Sequence, residues 1–338
     1  MTIDYANLAN EPRLLIEAEL RPLQGDRFQP TGFADLGPAR YTLADGTEML
    51  LVESAQSVAN RMELASWDES KDDLISELDG LPYIRVDLPD KKPLTNSILE
   101  AHRINSPYIL EGQDKSVFDL LKKEASGLEV GPVKLKQLAQ IVFKYDANAV
   151  LHGLFLAKSE LAGGRLRLSR ALSGFIEATS ARIAESGGVK NDRVDPSGKA
   201  FGGGSDSGFG NVPYHRTEFT AQKISAYFNL DLALIRGYGL GDEATRLLIA
   251  LALFKIRRFL TVGLRLRTAC DLEVSGSLIV KRPTGFLIPD EAELLNICKV
   301  GIAECKKSGA FAVPAITAVV WKPDTKKKAS KPEEQDLE

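Results

Sequence analysis

From Ile224 to Leu234 the apolar residues Ile224, Ala226, Phe228, Leu230, Leu232 and Leu234 occupy every second position. Successive side chains of a strand point to opposite faces, so this alternation predicts a strand with one face buried. Soon after it, Glu243 to Val262 is apolar through its middle, which predicts a long buried helix. A half-buried strand feeding a buried helix demands a second layer, and the economical solution is an α+β fold with helices on one face of a sheet. A second strand is expected where Leu14, Ile16, Ala18 and Leu20 alternate with Glu17, Glu19 and Arg21.

The remaining segments can be read the same way. From Glu48 to Ser66, the steps Leu51, Ala55, Val58, Met62 and Ala65 predict one amphipathic helix. Thr95 is placed to cap a short helix carrying Ile98, Leu99 and a packed His102. Val150–Ala157, Gly174–Ala184 and Phe311–Trp321 read as strands, and Asp290 caps a helix with Leu294, Leu295, Cys298, Ile302 and Cys305 inward. The expected organisation is a single domain over 1–321, with insertions at about 64–94, 111–147 and 186–213. The last of these is loop-like and rich in glycine. A charged tail, 322–338, lacks any apolar period and is expected to be disordered.

Composition narrows the function classes. The chain has 338 residues, 44% of them hydrophobic and 26% charged, which suits a soluble globular protein. Its longest apolar run, Leu247 to Phe254, is far short of the ~20 residues of a membrane helix, so no membrane partner is expected. The start MTIDYANLANEP carries no secretory pattern, and Cys270, Cys298 and Cys305 include no CxxC pair. A reduced, cytoplasmic location is therefore expected. The net charge of −3 argues mildly against a nucleic-acid partner. Its distribution argues the other way, because Arg246, Lys255, Arg257, Arg258, Arg265, Arg267, Lys281 and Arg282 share a window with only Asp271 and Glu273. Separated basic and acidic faces can hold a polyanion, or stack head to tail on further copies.

The candidate site residues are donors rather than a catalytic set. Ser54, Ser57 and Arg61 share one helical face, with Gln56 and Asn60 beside them. Hydroxyls, amides and an Arg suit a sugar-phosphate backbone. Asn96 and Arg103, seven residues apart, repeat the pattern on the expected second helix. GGGSDSGFGN lacks the spacing and Lys of a phosphate loop, and GYGLG at Gly237–Gly241 lacks the dinucleotide spacing. No cofactor or metal set is expected, since the three histidines are far apart in sequence and the cysteines sit at core positions. His215 is the best general acid–base residue, but it has no obvious partner in sequence.

The stretches RPLQGDRFQPTGFADLG, LLVESAQSVANRME, TNSILEAHRINSPYI, SRALSGFIEA, GGGSDSGFGNVPYHRTEFTA and RLRTACDLE occur in that order. Together they resemble the RAMP protein of type I-U (I-G) CRISPR systems, the Cascade backbone subunit of the seventh Cas family, from about Arg13 to Glu273. The resemblance implies an RRM-like (ferredoxin-like) palm with large finger and thumb insertions. It implies a non-enzymatic subunit that polymerises along CRISPR RNA and presents it for pairing with target DNA in antiviral defence. The partners it implies are CRISPR RNA, target DNA, further copies, and other Cascade subunits: a large subunit and a guide-end-capping or processing subunit. On this reading Arg27, Gln29, Ser54, Gln56, Ser57, Asn60, Arg61, Asn96, Arg103, Ser169, Arg170, Lys190, His215, Arg216, Arg265 and Arg267 are the candidate RNA contacts. The alternative is a RAMP ribonuclease that processes CRISPR RNA or cuts target RNA, with His215 or a loop aspartate (Asp26, Asp35 or Asp206) as the acting group. Truncation after Trp321 should leave folding and RNA binding intact, because the tail offers nothing to pack. Loss of solubility on truncation would contradict that expectation.

Overall fold

The computed structural model describes residues 2–33, 36–200 and 209–322. Asp35, Asp206, most of the glycine-rich run and the tail from 323 lie outside the described residues. In chain order the main sheet receives β1 (Arg13–Pro22), β2 (Arg40–Thr42) and β3 (Glu48–Glu53), and α1 (Ala55–Leu64) follows. A short helix α2 (Ala147–His152) precedes a small hairpin of β4 (Leu154–Leu156) and β5 (Leu166–Leu168). Next come β6 (Leu172–Thr179), β7 (Arg182–Lys190), β8 (Val212–Thr220) and β9 (Lys223–Asp231). The chain continues into α3 (Asp242–Val262), β10 (Arg265–Arg267), β11 (Cys270–Val274), β12 (Ile279–Arg282) and α4 (Glu291–Lys307).

The sheet runs β10-β11-β1-β9-β6-β3-β2, with β12 pairing β1 beside β11. At its centre β11, β1, β9 and β6 are each antiparallel to their neighbours. One face is apolar by alternation: Leu14, Ile16, Ala18 and Leu20 on β1 meet Ile224, Ala226, Phe228 and Leu230 on β9, all buried. Helices α1 and α3 cover that face, and α4 packs outside α3. Phe228 and Phe259 meet edge to face at 6.1 Å, joining sheet to helix. Asp290 closes a capping box with Glu293 at the start of α4, as its position after Pro289 predicts. A separate sheet pairs Ile316–Val320 in parallel with Tyr83–Asp87, which in turn pairs Pro93–Asn96. No helix among the described residues is long and apolar enough to cross a membrane.

Several expectations are corrected. The Glu48–Ser66 period joins two elements: β3 ends at Glu53, and Ser54 caps α1 by accepting from Ser57 N. Val150–Ala157 is the end of α2 followed by β4. No helix spans Ile98–His102: Asn96 Oδ1 instead accepts from the amides of Ile98 and Leu99, closing a turn, and His102 is exposed rather than packed. GYGLG joins the helix Leu232–Gly237 to α3, a helix–helix turn in which Gly239 and Gly241 have positive φ. The stretch 186–213 is not all loop. Residues 186–190 belong to β7 and 212–213 to β8, and this pair prolongs β6 and β9 into an arm exposed along most of its length. Phe28 bridges Phe219 at its base. Beyond β7, Asp192 accepts from the amides of Val194, Asp195 and Gly210, so the described part of the tip is locally folded.

Gly174 on β6 lies where a Cβ would stand 2.7 Å from the Phe228 ring and 2.9 Å from the Tyr227 carbonyl. Gly174→Ala should therefore force the sheet or Phe228 to shift and cost about 1–3 kcal/mol in chemical denaturation. An unchanged midpoint would show that the strands do not approach this closely.

Candidate nucleic-acid interface

The sheet brings α1 to the middle of two polar surfaces. At its start Glu53 is 2% exposed and carries a cluster of donors. Ser57 Oγ, Arg61 and Arg267 all donate to its carboxylate. Arg61 also donates to Leu266 O at 2.5 Å, and Arg267 to Gln29 O at 2.8 Å. Two guanidiniums on one carboxylate leave the patch net positive, while Ser57 and Arg61 prove to be structural ties as well as candidate contacts. Burial lowers the pKa of both Arg61 and Arg267, yet an arginine keeps its charge.

On one side of α1 lies the base of the arm. Gln29, Thr31, His215, Arg216 and Arg267 line a hollow of about 560 Å3 there. Arg216 donates to Gln29 Oε1 at 3.2 Å, and His215 is exposed. Arg27 lies nearby, paired with Glu218 at 3.3 Å.

On the other side a cleft of about 700 Å3 opens between α1 and the β4–β5 hairpin. Gln56, Asn60, Arg103, Ser169 and Arg170 all reach it, so five of the sequence-derived candidates meet in one place. No carboxylate lines it among the described residues. Arg170 spends its donors on Ala55 O, Gln56 Oε1 and His152 O. Sequence reasoning missed His102, Asn105, Phe155 and Arg167 in this wall, because the hairpin that carries the last two has no strong period of its own.

Beneath the cleft sits a buried charge cluster. Arg103, 7% exposed, makes a bidentate pair with Glu63, both bonds at 2.7 Å. Lys255 Nζ lies 3.1 Å from His152 Nε2, both fully enclosed. Burial lowers the Lys255 amine to about 8 despite the pull of Glu63 and Asp146. Burial and the neighbouring Lys255 push His152 well below its usual range, which keeps the imidazole neutral at neutral pH. A lysine donating to Nε2 leaves the imidazole hydrogen on Nδ1, and that nitrogen has no partner among the described residues.

Other candidates are scattered. Asn96 is buried and used in its turn. Arg265 is exposed; its backbone pairs with Asp271 and its carbonyl accepts from Arg61. Lys190 is exposed at the end of β7. The basic window is not one face. Lys255 is in the core, Arg257 donates to Ile288 O and Pro289 O, Arg258 pairs with Glu291, and Arg282 pairs with Glu11. The turn of α3 sends Lys255, Arg257 and Arg258 to different sides, and Arg282 lies on β12.

A family model for CRISPR-associated protein GSU0053 matches residues 14–183, which include β1, α1, both walls of the cleft and β6. The chain belongs to this family of CRISPR-associated proteins. It is a RAMP-type family, in agreement with the resemblance of the ordered motifs. No curated protein matches the sequence. Among solved structures, a chain of "CRISPR RNA-guided surveillance complex, pre-nicking" is similar at TM-score 0.39 and 14% identity, covering 78% of this chain and 76% of that one. A chain of "CRISPR RNA-guided surveillance complex" gives 0.37 and 13%, covering 88% and 83%. Csc2 of Thermofilum pendens gives 0.32 and 9%, covering 91% and 81%.

The buried lysine makes a pH prediction. Its folded pKa lies below the unfolded value, so between about 8 and 10.5 the unfolded chain binds more protons and this group makes stability rise with pH. Over that window Lys255→Met should lose a rise of roughly 3 kcal/mol relative to wild type, measured by urea denaturation at several pH values. Parallel pH profiles for the two proteins would contradict the burial of a cationic Lys255.

Proposed function

We propose that this GSU0053-family protein is an RNA-holding backbone subunit of a type I CRISPR surveillance complex. Family membership over the residues that build α1 and the cleft carries the reading. The strand order β11-β1-β9-β6, with α1 and α3 on one face, supports an RRM-like palm. The β7–β8 arm suits the thumb, reaching from the palm toward bound RNA, with Lys190 supplying charge. The strand of RNA passes from the arm base, at Gln29, His215 and Arg216, past Arg265 beside Arg61 and over α1 to the carboxylate-free cleft. Such a track grips phosphates without reading bases and leaves sequence recognition to pairing between guide and target DNA. Further copies continue the track, and a large subunit and an end-capping subunit complete the complex. The role is one of binding, with cleavage left to a recruited nuclease.

Affinity for a labelled CRISPR RNA, measured against salt, tests this. Arg265→Ala should weaken binding alike for unrelated RNA sequences and lower the salt slope by about one. Its side chain makes no hydrogen bond or ion pair among the described residues, so melting should not change. An unaltered affinity and slope would remove Arg265 from the track, and regular cleavage of the RNA in the same reactions would favour a ribonuclease instead. The triple change of Ser57, Asn60 and Arg61 to alanine is a poorer probe, because two of these hold the buried Glu53.

A further inference from the structure

The β4–β5 hairpin holds an aromatic side chain with no evident structural use. Phe155 is 42% exposed, and it belongs neither to the core nor to the apolar side chains packed against the core. It stands directly opposite Arg167 in the hairpin register, and the Arg167 guanidinium lies 4.6 Å from its ring centroid. Both line the cleft. Across from them two side-chain amides have their oxygens occupied. Asn60 Oδ1 is taken by Gln56 at 3.2 Å and Asn105 Oδ1 by Ala157 N at 3.0 Å, which leaves the two amide nitrogens. His102 is exposed at the same rim.

An exposed ring under a guanidinium is a stacking surface for a flat π-system. Amide nitrogens with no carboxylate beside them ask for a ligand rich in acceptors. A nucleotide has both: a base with carbonyl edges and a phosphate. The volume of about 700 Å3 is in the ~300–1,000 Å3 range of small-ligand pockets. We propose that this cleft receives one nucleotide of the bound RNA with its base turned in, stacked on Phe155 and contacted by Asn60 and Asn105. The inference rests on the RNA-binding reading and goes beyond it. A backbone track needs no base contact, whereas this pocket takes hold of a base.

The test compares two labelled RNAs of equal length, one ordinary and one whose central nucleotides are abasic. Wild type, Phe155→Ala and Arg167→Gln are titrated with each as full chains. Phe155→Ala should weaken binding of the ordinary RNA about tenfold, the scale of one base stacked on an aromatic ring, and leave abasic RNA unaffected. Arg167→Gln should lose affinity for both, and more for the ordinary RNA. Equal loss by Phe155→Ala on the two RNAs would mean that the ring touches backbone only. No loss on either would mean that the cleft takes no base and is open to an acidic protein segment instead. Both outcomes overturn the pocket. Failure of wild type to bind either RNA would overturn the RNA-binding reading itself, a distinct result.

Discussion

The bidentate pair of Glu63 and Arg103 holds the molecule's functional side in shape. It ties the last turn of α1 to the segment that follows the Pro93–Asn96 strand, two parts of the chain with no shared sheet. Around it Lys255 comes from α3 and Asp146 and His152 bracket α2, so four elements converge on a charge cluster sealed from water. Removing one member of such a cluster leaves a buried charge uncompensated, at a cost of about 3–5 kcal/mol. A hydrophobic replacement of the whole set could be as stable. What the charges add is directional geometry: α1 is held at one height, and the cleft above it stays open between α1 and the β4–β5 hairpin.

Glu53 works the same way at the other end of α1. Its carboxylate gathers Ser57, Arg61 and Arg267 and joins the arm base to the helix. Each buried acid thus fixes buried or half-buried donors at one end of α1. The surface above is polar and cationic without a surplus of lysines, which explains how a chain of net charge −3 can offer a polyanion a track. The arm is free of that bracing. Its strands continue β6 and β9 past the edge of the core, where Phe28 and Phe219 meet, and just beyond them Arg27 pairs with Glu218 and Arg216 with Gln29. Few buried contacts beyond that point favour adjustment on binding.

Legibility in the sequence followed the strength of the local period. Strands β1 and β9 alternate cleanly, and α3 and α4 carry long apolar faces, so pattern alone identified them, except that β9 ends at Asp231 and Leu232 and Leu234, in phase with it, belong to the helix Leu232–Gly237. The boundary between β3 and α1 was blurred because Met49–Val52 supplies apolar residues in phase with the helix that follows. Ser54 was the available signal, since a serine ahead of a helical run is a cap. Asn96 and Arg103 share no helical face, because no helix spans the seven residues between them. Asn96 instead spends its side chain on a turn, which competes with helix formation, and Arg103 turns inward to an acid no pattern could pair with it. The candidates that did converge in the cleft, Gln56, Asn60, Arg103, Ser169 and Arg170, come from stretches spread over more than a hundred residues. Their meeting depends on long-range pairing of β3 with β6, which motif order can suggest and periodicity cannot.

The central claim is that copies of this chain occupy successive stretches of one RNA strand. Mass photometry of the purified protein on CRISPR RNAs of graded length tests it most directly. The account predicts bound mass rising in steps of one protomer, 36.8 kDa, as the RNA lengthens. A single copy bound whatever the RNA length, or no binding at all, would contradict it.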